Sequence, residues 1–348
     1  VIFDMEIKDI IFDLCSTGGV SGNEEPVIEI VKKYFEQYAS VSSDSNGNVY
    51  AVMGNIDADK TILLDAHIDR IGLIVTGIDD NGFVKVDACG GIDIRTLQDT
   101  EVISQNYPQL TGVVCCMPPH LSDGKEDKAA PISKTWVDFG LDKESICKYI
   151  SIGDTLTFKS KPRMLLGDKI ASACLDDRCG VAALIKVAEI LHNAKSVADY
   201  KVVFLLSSQE ETFGTGAKTG SFTVDADEAI AVDVSFASQP DISGQYAKIE
   251  LQKGPMICIS PILNKAMSNY LIRLAEDKKI PYQLEPISAA TGTNADSISV
   301  SRSGVKTAVI SIPQRYMHTP NEVISIKDVE NTALLIADYV LSGGAFDD

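Results

Sequence analysis

Apolar residues recur at helical spacing in the first stretch of the chain, where Ile7, Ile10, Ile11 and Leu14 predict a helix. Ser21-Gly22-Asn23-Glu24 follows as a capping-box pattern, Ser and then Glu three residues on. The helix it predicts carries Val27, Ile30, Val31, Tyr34, Phe35 and Tyr38 on one face. Strands are expected near 48–53 and 61–66. From about residue 70 to 165 the helical period vanishes, and short β-like runs replace it: GLIVTGI, FVKVDAC, TGVVCCM and ISIGDTLTF. Asn81-Gly82 between two of them is a hairpin signal. The polar stretch Ser122–Lys134 reads as a mobile loop. After residue 165 strands and helices alternate again. A strand at 169–175 leads into a helix with Val181, Leu184, Ile185, Ala188 and Leu191 on one face. Strands follow near 200–207, 229–234, 248–252, 256–260 and 305–312. Tyr270, Leu271, Leu274 and Ala275 mark a further helix, and the last runs from about Lys327 to Ser342. The pattern predicts an α/β domain, 1–69 with 166–348, interrupted by a small β-barrel-like domain at 70–165. Such an insertion is topologically cheap, because the ends of a domain often lie close together.

Composition narrows the class. With 348 residues, 45% hydrophobic and 23% charged, the chain reads as an ordinary globular enzyme. No apolar run approaches the roughly 18 residues of a membrane span. The first residues, VIFDMEIKDI, lack a basic region followed by an apolar core, so no signal peptide is expected. Eight Cys without a CxxC pair then read as reduced thiols of a cytoplasmic protein. The formal charge of −18 argues against nucleic acid and anionic membranes as partners.

The apolar runs also deliver candidate chemistry. TILLDAHID brings His67 and Asp69, KIASACLDDR brings Asp176, VVFLLSSQEE brings Glu210 and Glu211, AIAVD brings Asp233, and VKTAVISIPQRYMH brings His318. Buried parallel strands read as continuous apolar runs, and open α/β sheets bind ligands beyond the carboxyl ends of their strands. Acids and imidazoles gathered there point to one shared site, with two metals and a bridging carboxylate. Asp69, two residues from His67, faces the same side of an extended chain and can fix the imidazole tautomer. Asp176-Asp177-Arg178 reads either as a helix N-cap with a surface ion pair or as a shared ligand. Of the adjacent Glu210 and Glu211, one suits a metal and the other a general base.

The chain resembles the TET-type metallo-aminopeptidases, also called glutamyl aminopeptidases and, in older naming, cellulase-like proteins. The resemblance covers nearly the whole length. Its marks are AHID at 66–69, CGGID at 89–93, MPPH at 117–120, LDDRCG at 175–180, QEETFGTGA at 209–217, VDVSFA at 232–237, GTNADSI at 292–298 and RYMHTP at 315–320. It implies a zinc-peptidase-like catalytic domain, a mixed sheet flanked by helices, with an inserted dimerisation domain. It implies a pair of Zn²⁺ or Co²⁺ ions bridged by Asp176. Glu211 and His318 would complete one ion's ligands, and His67 and Asp233 the other's. Glu210 would be the general base and Asp69 the partner of His67. Members commonly form hollow tetrahedral dodecamers. Two positions depart from the family pattern. Arg70 replaces the usual acid after HxD, and Asn294 stands where GTDA is common. Both bear on substrate choice rather than on catalysis.

These observations predict an aminopeptidase that removes N-terminal residues from peptides through a di-metal-bound hydroxide. The rivals are another hydrolase on the same scaffold, a deacylase or a glycosidase, and a non-catalytic assembly protein. Arg70 is expected to point away from the metals and to pair with an acid or a neighbouring subunit.

Overall fold

The computed structural model describes residues 6–121, 129–194 and 200–346. Helix α1 (Ile7–Cys15) buries Ile7, Ile10, Ile11 and Leu14, as their spacing predicts. Helix α2 (Glu25–Phe35) buries Val27, Ile28, Val31, Tyr34 and Phe35. The expected capping box does not form. Glu24 occupies the N-cap position without a side-chain cap bond. Its carboxylate instead accepts from the Gly22 amide at 2.7 Å and the distant Gln209 amide at 3.2 Å. Ser21 meets Thr212 hydroxyl to hydroxyl at 2.9 Å. Both side chains are drawn to the loop that carries Glu210, a partner no local pattern reveals. Strands β1 (Ser40–Ser43), β2 (Val49–Gly54) and β3 (Thr61–His67) follow.

The next six strands close into a barrel: β4 (Gly72–Ile78), β5 (Val84–Cys89), β6 (Glu101–Ser104), β7 (Thr111–Val114), β8 (Trp136–Asp138) and β9 (Thr155–Phe158), with the short helix α3 (Lys143–Ile146) between the last two. The barrel has its own core, including Leu73, Val86, Val102, Val137 and Leu156. The Asn81-Gly82 hairpin joins β4 to β5 as expected. Gly82 has φ of 92°, and a Cβ there would come within 2.1 Å of the Leu141 carbonyl, so only glycine fits. Strands β6 and β8 escape sequence reading: β8 has three residues, too few to show a period, and β6 offers only Val102 and Ile103 between polar neighbours. Of the expected mobile loop, residues 122–128 lie outside the described residues, and Ile132–Lys134 forms a 3-10 turn.

The chain then returns with β10 (Arg163–Met164), β11 (Lys169–Ser172), α4 (Leu175–Ala194), β12 (Lys201–Ser207), α5 (Thr215–Val224), β13 (Glu228–Phe236), β14 (Met256–Ile259), α6 (Lys265–Lys278), β15 (Gln283–Pro286), α7 (Ala295–Ile298), β16 (Lys306–Gln314), β17 (Glu322–Ser325) and α8 (Ile326–Leu341). Eight strands form one mixed sheet in the order β1-β2-β12-β3-β13-β16-β14-β15. Its centre, β12-β3-β13-β16, is parallel. Helices α1, α2, α4, α6 and α8 cover one face, and α5 and α7 the other. Burial on both faces explains the unbroken apolar runs of β3 and β13. The strand expected at 248–252 is absent. Ile249 and Leu251 alternate because both tuck under a loop onto Ala171, Met256 and Val323, not because they line a sheet. Among the described residues no helix is long and apolar enough to cross a membrane.

Candidate metal centre

The parallel centre of the sheet, with the head of α4 that follows β11 of a separate three-stranded sheet, brings the candidate ligands to one cavity of about 420 Å³, lined by Asp176, Glu210, Glu211, Asp233 and His318 together with Gly91, Phe236, Glu285 and Met317. His67 is the last residue of β3. Glu210 and Glu211 lie just beyond β12. His318 sits in the loop between β16 and β17. Asp233 differs from expectation in one respect: β13 runs on to Phe236, so Asp233 projects from within the strand.

Asp176 stands at the centre. Its Oδ1 lies 3.0 Å from His67 Nε2, and its Oδ2 lies 3.3 Å from His318 Nε2. His318 Nε2 is also 3.3 Å from Glu211 Oε2. Two groups of donor atoms result, His67 with Asp176 and Asp233, and Asp176 with Glu211 and His318. Within each, the ligand atoms lie within 4.8 Å of one another. Each oxygen of Asp176 thus serves a different trio. The sharp bend at Asp176 and Asp177, both non-helical at the head of α4, presents the carboxylate this way. The adjacent Asp177 supplies the true helix cap, accepting from the Gly180 amide at 3.2 Å. None of Asp176, Asp177 and Arg178 is at the surface, which removes the surface ion pair as a reading of this motif.

The remaining contacts orient the ligands. His67 Nδ1 lies 3.2 Å from the Asp69 carbonyl and 3.4 Å from its carboxylate. That leaves Nε2 to face the cavity. The Asp69 carboxylate accepts the amides of Glu210 and Glu211 at 2.9 and 3.1 Å, so one side chain fixes both adjacent acids. Two supports were not foreseen. Glu322 accepts from the Asp176 amide at 3.2 Å and from the His318 amide at 3.0 Å. The Gly91 carbonyl takes the His318 Nδ1 hydrogen at 2.7 Å, and a Cβ at Gly91 would press that nitrogen at 2.9 Å. The CGGID motif, without a role on sequence grounds, therefore reaches over from the barrel to steady a ligand. Asn294 Nδ2 donates to Asp65 and to Ser207 at 2.8 Å each, beneath the end of β3. His120 and His192 belong to neither donor group.

Electrostatics favour cations here. Burial pushes Glu211 and Asp233 well above the usual carboxylate range, and the Asp176 charge adds to it. Burial raises Glu210 to about 7. Burial opposes charge on both Asp176 and His318, yet their mutual contact prevails, holding Asp176 low and His318 at about 9. Glu211 Oε1 is buried with no hydrogen-bond partner. Oxygen and imidazole donors of this number suit two divalent ions, and no thiol contributes. Arg70 stays out of this cavity. Its backbone bridges to Val20, and its side chain lines a separate cavity at the barrel junction with Gln105 and Lys159. Among the described residues no acid pairs with it: Nε and Nη2 are buried without a hydrogen-bond partner, so of the two expected pairings, with a nearby acid or with a neighbouring subunit, the first is not found there.

Comparison with known proteins agrees with the geometry. Residues 47–335 match the family model described as M42 glutamyl aminopeptidase. The chain is 35% identical to a lysyl aminopeptidase of Pyrococcus furiosus over 329 residues, 91% of this chain and 92% of that protein. An aminopeptidase of the archaeon Desulfurococcus kamchatkensis superposes with a TM-score of 0.90 at 31% identity, covering 97% of this chain and 95% of the other. The TET1 peptidase of Pyrococcus horikoshii, which assembles into a tetrahedron or a large octahedral shell, superposes at 0.85 with 28% identity, covering 98% of this chain and all of the other. With two donor groups that share one carboxylate, an α/β sheet and an inserted barrel, the chain belongs to the M42 glutamyl aminopeptidase family and is a metal-dependent aminopeptidase.

Proposed function

We propose that this enzyme removes N-terminal residues from peptides with His67, Asp176 and Asp233 holding one divalent ion and Asp176, Glu211 and His318 the other. The observation that carries the assignment is the division of the Asp176 oxygens between the two imidazoles. Zn²⁺ and Co²⁺ fit the oxygen and nitrogen donors. When bound, such ions acidify water and polarise a carbonyl. Glu210, raised to about 7 by burial, holds and returns a proton near neutral pH. Asp69 keeps Glu210 and Glu211 apart by binding their amides, so the two acids do different work.

We also assign residues 1–69 and 166–348 to the catalytic domain and 70–165 to a dimerisation domain whose dimers build a dodecamer. Exposed Val113, Leu121, Tyr149 and Ile152 give the barrel an apolar surface suited to association. The TET1 relative forms closed shells. Exhaustive chelation should reduce turnover of aminoacyl-p-nitroanilides to background, and Zn²⁺ or Co²⁺ should restore it. Full turnover by a verified metal-free preparation would overturn the two-ion assignment.

A further inference from the structure

The cavity that holds the metal ligands contains one more acid, Glu285, on β15. It belongs to neither donor group. It is 2% exposed, and burial raises its pKa. Its oxygens accept from Ser235 and, at 2.8 Å, from Ser311, with the Tyr246 hydroxyl beside them. No cation faces it among the described residues. Hydroxyl donors stabilise a carboxylate without cancelling its charge, and an ionised carboxyl has about four acceptor positions. A buried acid without a counter-charge, in the wall of an open cavity, is arranged for a cation that arrives from outside.

The sheet sets the distance. Ser311 stands in register with Asp233 on the neighbouring strand, and Ser235 is two residues beyond Asp233. Residues two apart share a face, about 6.6 Å along the strand. Bonded to both serines, Glu285 thus lies to one side of the metal ligand Asp233, across the sheet and toward the Ser235 end of the strand. Phe236, Ile287, Val309 and Met317 supply apolar wall to the same cavity. An apolar sleeve ending in an acid matches a long aliphatic side chain tipped with a positive charge.

Resting on the aminopeptidase reading, we propose that Glu285 is a specificity-determining residue that receives the cationic end of an N-terminal lysine or arginine side chain. Acidic N-terminal residues are the disfavoured class, because their carboxylate would meet Glu285 with like charge.

The test compares L-lysine with L-norleucine, which shares the aliphatic stem and lacks the ammonium. Calorimetry on the metal-loaded protein should show lysine binding about tenfold or more tightly than norleucine, a difference Glu285→Gln removes. With p-nitroanilides, Lys and Arg should exceed Leu, and Leu should exceed Glu, in kcat/KM. Glu285→Gln should lower Lys about tenfold or more while moving Leu less than about threefold, on the scale expected of one desolvated charge pair. Equal binding of lysine and norleucine, or an equal loss on Lys and Leu, overturns the assignment. If no aminoacyl substrate turns over, the aminopeptidase reading fails, and the lysine–norleucine difference still decides the role of Glu285.

Discussion

Two short segments of the chain put acid and base side by side, and the fold treats them oppositely. In Asp69-Arg70 and in Asp176-Asp177-Arg178 the acids serve the metal centre, whereas the guanidiniums lie behind it. Arg178 is fully buried and donates to the Leu14 carbonyl at 2.8 Å and the Gly18 carbonyl at 3.4 Å. These belong to the end of α1 and the turn after it, where the helix dipole favours a cation. The cavity acids Glu211 and Asp233 lie instead among other carboxylates. They crowd together against their own repulsion, which imidazole and added cations relieve. A buried charge with fixed backbone partners is structural. Where buried acids crowd one cavity, as Glu211 and Asp233 do, a cation can bind.

Glu210→Gln strikes the acid side hardest while keeping its shape. It should lower kcat roughly 10²–10⁴-fold with metal content unchanged. Glu211→Gln should instead lose one of the two ions, read by elemental analysis of the dialysed protein. The reverse pattern would exchange the roles of the two acids. Next in size is the pH dependence of metal affinity. In the metal-free protein burial pushes Glu211 and Asp233 up and contact with Asp176 holds His318 at about 9, so ion binding displaces protons from the site. Affinity should therefore strengthen as pH rises from 6 to 9, by about tenfold per unit for each proton released. Competition against a chelator of known affinity measures it, and a pH-independent constant would contradict the crowding. The mildest probes lie on the basic side. Arg178→Met should cost about 1.5–3 kcal/mol of stability per charged hydrogen bond lost, seen in denaturant melts. Arg70→Glu should leave the ranking of Glu-, Leu- and Lys-terminated substrates unchanged. A selective loss on the Glu substrate would place Arg70 at the substrate after all.

The same contrast explains what was legible in the sequence. The runs that end in His67, Glu210 and His318 could be read because β3, β12 and β16, buried in the central sheet, leave continuous apolar stretches that stop short of the site. Asp233 was found, but its position inside β13 was not, since nothing polar marks the strand's true end. Glu322 and Gly91 act through a backbone amide or carbonyl on residues far away in sequence, and such contacts leave no periodic trace. Ser21 and Glu24 read as a capping box because Ser-x-x-Glu usually is one, yet tertiary contacts with Thr212 and Gln209 outweigh the local option. Strand alternation turns Arg70 away from His67 and Asp69, but it does not say whether an acid of the chain or a neighbouring subunit meets it, and no acid does so among the described residues.

The donor groups of the metal centre also bear on how the enzyme is made. Their residues are spread from His67 to His318, with the whole barrel threaded between His67 and Asp176. A growing chain on the ribosome therefore holds no complete pair of sites until residue 318 has emerged and the two parts of the sheet have met. Acquisition of both ions is then a late event, and it falls to finished chains. A truncated or misassembled product keeps its cluster of buried acids without the ions that neutralise them, which leaves it less stable and an easier target for degradation.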